Sequence, residues 1–278
     1  MHAFGSTSIA VCLPGGVAAE DGEWLREAEL RALTGREEDW LIRNSRAPSA
    51  VAVTFLLRGC LVSLGRREAT AELIDRLLVG DREFLMLQLR RITLGEQFTA
   101  VVGCPACGVK MDTSFRTADV PVEHGADVAG PFSLELKSDG RQRTIQFRLP
   151  TGADQEAVLD LPPSTAGDAM LKLCLLDDGG TALNNDERSV LSDAMERCAP
   201  KVELELDLTC PSCRQSFVLP FDTTAFFLQE LRSNDRNLLQ EFHSLAFHYH
   251  WSQTEILGID RERRRKYLSL LTDELRRD

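Results

Sequence analysis

Four cysteines of the chain occur in two short motifs of the same form. C-P-A-C stands at residues 104–107 and C-P-S-C at residues 210–213. A Cys-x-x-Cys pair on a tight turn directs both sulfurs to one point, and four thiolates complete the tetrahedral shell that Zn²⁺ prefers. The sequence therefore predicts a structural Zn²⁺ site whose ligands are Cys104, Cys107, Cys210 and Cys213.

Both motifs are flanked by residues that alternate between apolar and polar, as β-strands do. Residues 97–102 and 109–115 flank the first motif, and residues 202–208 and 215–219 flank the second. Alternation over runs of this length is typical of half-buried strands. We therefore expect each cysteine pair at the tip of a hairpin, and the two hairpins to form a split zinc ribbon.

The spacing between the motifs is unusual for such a site. Cys107 and Cys210 are separated by 102 residues, whereas zinc ribbons place roughly 15–20 residues between their pairs. Either the intervening chain is an inserted subdomain, or the two cysteine pairs are unrelated. In the second case their thiols would be free or redox-active. The matching motifs and flanks favour the shared site. A thioredoxin-like redox pair precedes a helix, whereas each pair here precedes a strand pattern, so the thioredoxin-like interpretation is disfavoured.

The remaining sequence predicts an α+β protein built around the split ribbon. Helical apolar spacing dominates the two ends of the chain, and the stretch between the motifs mixes strand and helix patterns. The predicted units are an N-terminal mostly helical unit at 1–95, the ribbon hairpins at 96–116 plus 201–221, an inserted α+β subdomain at 117–200, and a helical C-terminal tail at 222–278.

Several local signals predict where elements begin and end. Residues 14–16 (Pro-Gly-Gly) predict a turn, and Ser49 is expected to cap a helix over residues 51–64. Asp81, after a break at Gly80, is expected to cap a helix over residues 82–94 that carries arginines on its polar side.

The insertion adds two further local predictions. Residues 138–140 lie between alternating runs and predict a hairpin turn. The acidic Asp-Asp-Gly-Gly segment at 177–180 predicts the end of a helix, because it lacks the alternating ligands and final Glu of a calcium loop.

Composition narrows the class of protein. The chain has 278 residues, 43% of them hydrophobic, and a net charge of −11. No apolar run approaches the roughly 18 residues of a membrane span, and the N-terminus lacks a basic segment followed by a long apolar stretch, so we expect a soluble, cytoplasmic protein. The acidity makes nucleic acid an unfavourable partner, because binding it normally requires a basic surface.

Three histidines are the alternative candidates for metal ligands or catalytic groups. His248 and His250 are two positions apart and cannot share one helix face, and neither they nor His243 belong to a helical metal-binding motif. Packing at the last helices is the favoured interpretation. Because the sequence also lacks a nucleophile elbow, a phosphate-binding glycine loop and a dinucleotide fingerprint, we expect no enzyme and no small-molecule substrate.

The C-terminal helix begins with a basic run. Asp260 is expected to cap it, and residues 261–266 carry five positive charges beside Glu262. This run is either a solvated helix face or a docking helix for an acidic partner. It also supports an alternative function, a zinc-ribbon nucleic-acid-binding regulatory protein that uses the basic helix.

Parts of the sequence resemble the T4-like phage baseplate hub protein family. Residues 77–85 and 89–95, followed by C-P-A-C-G at 104–108, are similar to a glycine-aspartate-arginine helix that the family places just before a C-P-x-C-G knuckle. Residues 247–257 and the Arg-rich helix are similar to a segment of tail and baseplate proteins of contractile phages and related injection systems. The similarity covers about residues 10–120 and 200–275.

The resemblance implies a structural or chaperone-like assembly role in the baseplate or hub of a contractile phage tail or contractile injection system. The implied partners are other baseplate, hub and tail proteins. It carries over no catalytic residue and leaves open whether the protein stays in the finished phage-tail-like particle.

Overall fold

A computed structural model describes residues 8–125, 130–138, 141–176 and 183–276. Its mixture of helices and strands confirms the predicted α+β class. Residues 139 and 140 of the predicted turn, and the predicted helix end at 177–180, lie outside these ranges. None of the helices in the described ranges is long and apolar enough to cross a bilayer.

From residue 8 onward, where the description begins, the N-terminal part combines an antiparallel sheet with four helices. Its strands pair in the order β1-β2-β3-β4. The elements are β1 (Ser8–Ala18), β2 (Trp24–Arg31), α1 (Gly35–Arg43), α2 (Ser49–Cys60), β3 (Leu61–Leu64), β4 (Arg67–Glu68), α3 (Ala71–Asp75) and α4 (Val79–Leu94).

In the described residues the remaining elements are three hairpins, a short strand pair, a 3-10 turn at Thr117–Asp119 and seven α-helices. They are β5 (Gln97–Gly103), β6 (Lys110–Arg116), β7 (Val122–Glu123), β8 (Phe132–Ser138), β9 (Arg141–Phe147), α5 (Gly152–Ala157), α6 (Pro163–Cys174), α7 (Asn185–Cys198), β10 (Lys201–Val202), β11 (Leu204–Thr209), β12 (Ser216–Phe221), α8 (Thr223–Arg232), α9 (Asp235–Tyr249), α10 (Gln253–Leu257) and α11 (Arg261–Leu275). β7 pairs with β10, which links the chain just after the first hairpin to the chain just before the second.

Three hydrophobic clusters organise these elements. The first fills the space between the N-terminal sheet, α2 and α4, and α8 adds Phe227 and Leu231 to it. The second lies between the β8–β9 hairpin, α6 and α7, and the third lies beneath the β5–β6 and β11–β12 hairpins. Leu78, directly before α4, belongs to the second cluster, and Leu87 within α4 belongs to the third. Helix α4 and the residue before it therefore contribute to all three clusters.

Helix α2 is shorter than its apolar periodicity predicts. It ends at Cys60, because Leu61–Leu64 continues as strand β3 and pairs with β2. Leu61 and Leu64 are buried in this pairing. The predicted Ser49 cap is also wrong: Pro48 occupies the N-cap position, and no side chain caps the helix.

Asp81 is not the helix cap that the sequence suggests. Helix α4 begins at Val79, and the buried Asp81 carboxylate instead accepts hydrogen bonds from the backbone N–H groups of Gly15 and Gly16, at 2.7 Å each. The predicted turn at residues 14–16 lies inside β1, where the pairing with β2 shifts its register. Asp81 therefore fixes an irregular stretch of β1 onto α4.

The residues on either side of Asp81 also make buried contacts. A Cβ at Gly80 would collide with the carbonyl oxygen of Pro200, so only glycine allows the chain before β10 to lie this close to α4. Arg82, predicted on the polar side of its helix, is 1% exposed and donates to Thr54 Oγ1 at 2.6 Å and to the Ala50 carbonyl at 3.1 Å. The glycine-aspartate-arginine motif is thus a junction between distant parts of the chain.

Asp81 is expected to make stability depend on pH. Burial raises the pKa of Asp81 to about 6, although the hydrogen bonds from Gly15 and Gly16 oppose the shift. The folded protein therefore retains this proton to a higher pH than the unfolded chain does. The free energy of unfolding should fall as pH rises from about 4 to about 7, by on the order of 3 kcal/mol from this group.

Asp81→Asn is expected to reduce the fall of the free energy of unfolding between about pH 4 and about pH 7, because the amide does not ionise. Urea unfolding at several pH values measures the slope for the wild type, for Asp81→Asn, and for the control Asp273→Asn, which alters an exposed residue of α11. An Asp81→Asn slope equal to that of the wild type would contradict the prediction.

The C-terminal helices dock on α1 through polar contacts. The Gly35 N–H donates to the Ile259 carbonyl at 3.2 Å. Arg264, fully buried, donates to Glu38 at 2.7 Å and to Glu241 at 2.9 Å. The predicted cap of α11 is confirmed, because the Asp260 side chain accepts from the Arg263 N–H.

Candidate metal centre

The two cysteine motifs each connect the strands of an antiparallel hairpin. The first hairpin pairs Gly103 with Lys110 at its tip, and the second pairs Thr209 with Ser216. The two hairpins are separate two-stranded sheets. Each motif therefore lies at a hairpin tip, as the flanking alternation predicts, while the assignment to a split zinc ribbon stays a prediction.

Both tips have the same backbone conformation. In the first, the Cys104 N–H donates to the Val109 carbonyl and the Gly108 N–H donates to the Cys104 carbonyl, both at 2.9 Å. The second repeats this pattern at the same distances, with Cys210, Gln215 and Arg214 in the equivalent roles. The fifth residue of each tip is left-handed, with φ of +73° at Gly108 and +62° at Arg214.

Arg214 is strained by this conformation, so Arg214→Gly is expected to stabilise the protein. A left-handed residue with a Cβ costs about 1–2 kcal/mol, and glycine returns part of the gain through its freedom in the unfolded chain. The expected net increase in the free energy of unfolding is about 0.5 to 1 kcal/mol, measured by urea denaturation.

The matched control for Arg214→Gly is Gly108→Ala in the other tip. A Cβ at Gly108 has nothing within 4 Å, so its expected cost of about 1 kcal/mol is conformational and not steric. A decrease in the free energy of unfolding on Arg214→Gly would contradict the strain assigned to Arg214.

The two tips bring four sulfur atoms together. Sγ of Cys104 lies 3.7 Å from Sγ of Cys213, and Sγ of Cys107 lies 3.6 Å from Sγ of Cys210. All four sulfurs are within 4.8 Å of one another. A disulfide would need about 2.0 Å, whereas a tetrahedral shell with metal–sulfur bonds of about 2.3 Å has edges of about 3.8 Å. The four cysteines could therefore hold a metal ion.

Burial differs among the four thiols, and Cys107 and Cys210 differ in pKa. Cys104 and Cys210 are buried, and Cys107 and Cys213 are exposed. The backbone N–H groups of Cys213 and Ser212 lower the pKa of Cys210 to about 6, against the effect of burial. The Val109 N–H acts to lower the pKa of Cys107, but hydrogen bonds with the neighbouring sulfurs raise it to about 12. A bound cation is what would allow all four groups to be thiolates.

The bases of the hairpins are joined by aromatic rings. Phe98 of β5 stacks on Phe115 of β6 with centroids 4.5 Å apart, and Phe115 meets Phe221 of β12 at 5.0 Å. Phe221 in turn meets Phe226 of α8 at 5.1 Å. The two hairpins therefore meet at both ends: the phenylalanine rings pack at their bases, and the sulfurs lie together at their tips.

Arg90, predicted on the polar side of its helix, is buried and supports this base. Its guanidinium lies 3.7 Å from the centre of the Phe98 ring, and it forms a two-point ion pair with Glu230 of α8 at 3.0 Å. It also donates to the carbonyls of Gly95 and Gln97. The partners come from separate parts of the chain, so the periodicity of α4 could not reveal them.

The histidines are not part of this centre. All three are exposed: His243 lies in the middle of α9, and His248 and His250 lie at its C-terminal end. Within the described ranges, the four cysteines are the only group of three or more His, Cys, Asp or Glu residues close enough to share an ion. The structure gives the three histidines no common ligand site.

The basic run of α11 is not a continuous solvated face. Arg261 and Arg264 are buried and lie against Glu38, at 3.9 Å and 2.7 Å. Lys266 is exposed and pairs with Glu262 one turn away. Two of the five positive charges therefore serve the docking of α11 onto α1.

Comparison with known protein families gives a match over more than half of the chain. A family model described as T4 bacteriophage base plate protein matches residues 7–176. No curated protein and no solved structure matches the chain. The matched range includes α4 and the first cysteine tip, and it ends before the second tip.

Proposed function

Because the chain belongs to the T4 bacteriophage base plate protein family, we propose that it is a structural or assembly component of a contractile tail. It would act in the baseplate or hub of a phage tail or contractile injection system, through contacts with other baseplate, hub and tail proteins. The observation that carries this proposal is the family match over more than half of the chain. Family membership also favours a structural role over an enzymatic one.

The contacts of the family-like motif support a structural role. Gly80, Asp81 and Arg82 are buried and bind other parts of the same chain. In this proposal the protein works in the cytoplasm of the host cell and in the particle assembled there. Residues 117–200 would form an inserted subdomain whose surface, with that of the helical tail, meets the neighbouring proteins.

The metal in this proposal is Zn²⁺, held by Cys104, Cys107, Cys210 and Cys213. Four soft thiolates in a compact group suit Zn²⁺, and a closed shell of four protein ligands leaves no position for a substrate. The ion would therefore be structural. The nucleic-acid alternative has less support, because Arg261 and Arg264 are engaged with Glu38.

Deletion of the gene in its host tests the proposed function. Electron microscopy should show few complete contractile particles in the deletion strain, with full recovery on complementation by the wild-type gene. Complementation with Cys104→Ser/Cys210→Ser should fail. Mass spectrometry of purified particles then separates a resident component from an assembly factor. Normal particles in normal number without the gene would refute the proposal.

A further inference from the structure

Each cysteine tip carries one exposed and one buried cysteine. Cys107 and Cys213 are exposed, whereas Cys104 and Cys210 are buried. Two close contacts between Sγ atoms run from one hairpin to the other: Cys107 lies 3.6 Å from Cys210, and Cys213 lies 3.7 Å from Cys104. Each exposed sulfur therefore has a buried neighbour in the opposite hairpin.

Exposure determines which of these sulfurs an oxidant attacks first. Oxidation of cysteine follows the thiolate character and the exposure of the sulfur, so a peroxide in solution reacts with Cys107 or Cys213 before the buried pair. The sulfenic acid that forms is then attacked by a thiol within reach. Cys210 is in place to attack an oxidised Cys107, and Cys104 is in place to attack an oxidised Cys213.

We propose that the four cysteines are also a redox-active site, in which hydrogen peroxide converts Cys107–Cys210 and Cys104–Cys213 into disulfides between the hairpins. In each pair the exposed sulfur attacks a peroxide oxygen, the O–O bond breaks, and one water leaves. The buried sulfur then attacks the sulfenic sulfur, the S–O bond breaks as the S–S bond forms, and a second water leaves. Two thiols thus lose two electrons and two protons, and one peroxide becomes two waters.

The proposed ion leaves in this reaction, because a disulfide sulfur is no longer a thiolate ligand. The two tips nevertheless remain joined, now by covalent bonds. An ion would thus join the hairpins in a reducing compartment, and disulfides would join them in an oxidising one. This exchange goes beyond the proposed function, and it rests on that proposal only for the identity of the ion.

Peptide mapping of the full chain after treatment with hydrogen peroxide tests the pairing. Trypsin releases the first motif within residues 92–110 and the second within residues 202–214. Disulfides between the hairpins join these peptides into one species, whereas disulfides within the motifs leave them separate, each about 2 Da lighter. Monomer isolated from a non-reducing gel excludes links between molecules. The joined species should dominate and should separate in dithiothreitol. Separate peptides, or sulfinic acids without disulfides, would overturn the proposal.

Two double variants test which sulfurs pair. Cys104→Ser/Cys213→Ser keeps Cys107 and Cys210, and peroxide should still join the two peptides. Cys107→Ser/Cys213→Ser keeps the two buried cysteines and should form the joined species at least about tenfold more slowly. Equal rates for the two variants would overturn the proposal. The wild-type map decides alone if circular dichroism shows either variant to be unfolded.

A colorimetric zinc indicator separates this inference from the proposed ion. Zinc should be released in step with the joined species, and the control Cys12→Ser, which alters an exposed cysteine outside the cluster, should behave as the wild type does. Zinc that stays bound to the joined species would overturn the exchange. Protein that carries no zinc would refute the proposed ion, while the peptide map would still decide whether the disulfides form between the hairpins.

Discussion

Removal of the proposed Zn²⁺ from the four cysteines by a chelator is expected to unfold the two hairpins. Structural zinc sites contribute on the order of 10 kcal/mol, which is comparable with the whole stability of a typical domain. Two-stranded hairpins are marginal on their own, so the phenylalanine contacts at the bases are not expected to be sufficient without the ion. Thermal unfolding followed by circular dichroism, with and without 1,10-phenanthroline, measures the effect.

Cysteine variants separate loss of the ion from side effects of the chelator. Cys210→Ser removes a buried ligand and should abolish stoichiometric zinc, measured by elemental analysis of protein purified without added metal. Cys12→Ser alters an exposed cysteine outside the cluster and should retain one ion per chain. Zinc-free wild-type protein, or a Cys210→Ser variant as stable as the wild type, would refute the shared site.

Arg264→Met is expected to destabilise the protein by about 3 to 5 kcal/mol. The substitution leaves Glu38, which is 1% exposed, without the guanidinium that lies 2.7 Å from it. It also removes the bond to Glu241 between α11 and α9. The buried Glu38 carboxylate then has only Arg261, at 3.9 Å, to compensate its charge. This loss of compensation is the source of the cost, and urea unfolding measures it.

Two further variants isolate that cause. Arg58→Met breaks an ion pair with Asp75 that is open to solvent, and it should cost less than about 1 kcal/mol. The double variant Glu38→Met/Arg264→Met should recover part of the loss, because the buried carboxylate is then gone as well, although Arg261 loses its 3.9 Å contact with Glu38. A double variant less stable than Arg264→Met would show that packing of the arginine stem, and not the buried charge, carries the effect.

The sequence reveals the cysteine tips because their signal is local. Each tip is specified by a few adjacent residues whose chemistry and flanking alternation point to the same structure. The cap at Asp260 is likewise local, since the side chain bonds to a backbone group three residues later. Features of this kind can be predicted from a single sequence.

Other features depend on partners far along the chain. The apolar spacing of α2 continues through Leu61 and Leu64, and only the pairing with β2 ends the helix at Cys60. Asp81 has the form of a helix cap, but it meets backbone groups 65 and 66 residues earlier. Arg264 meets Glu38 across 226 residues. Local propensity carries no information about such contacts.

The separation of the two cysteine tips has a consequence for the order of events during translation. Cys104 and Cys107 leave the ribosome about 5 to 20 s before Cys210, at typical rates of synthesis. For that interval the first pair has only two of the four sulfurs of the site, whereas β1 to α4 are already present. The N-terminal sheet and its helices can therefore fold around α4 first, and the ribosome must complete the intervening chain before the proposed ion can bind both cysteine pairs.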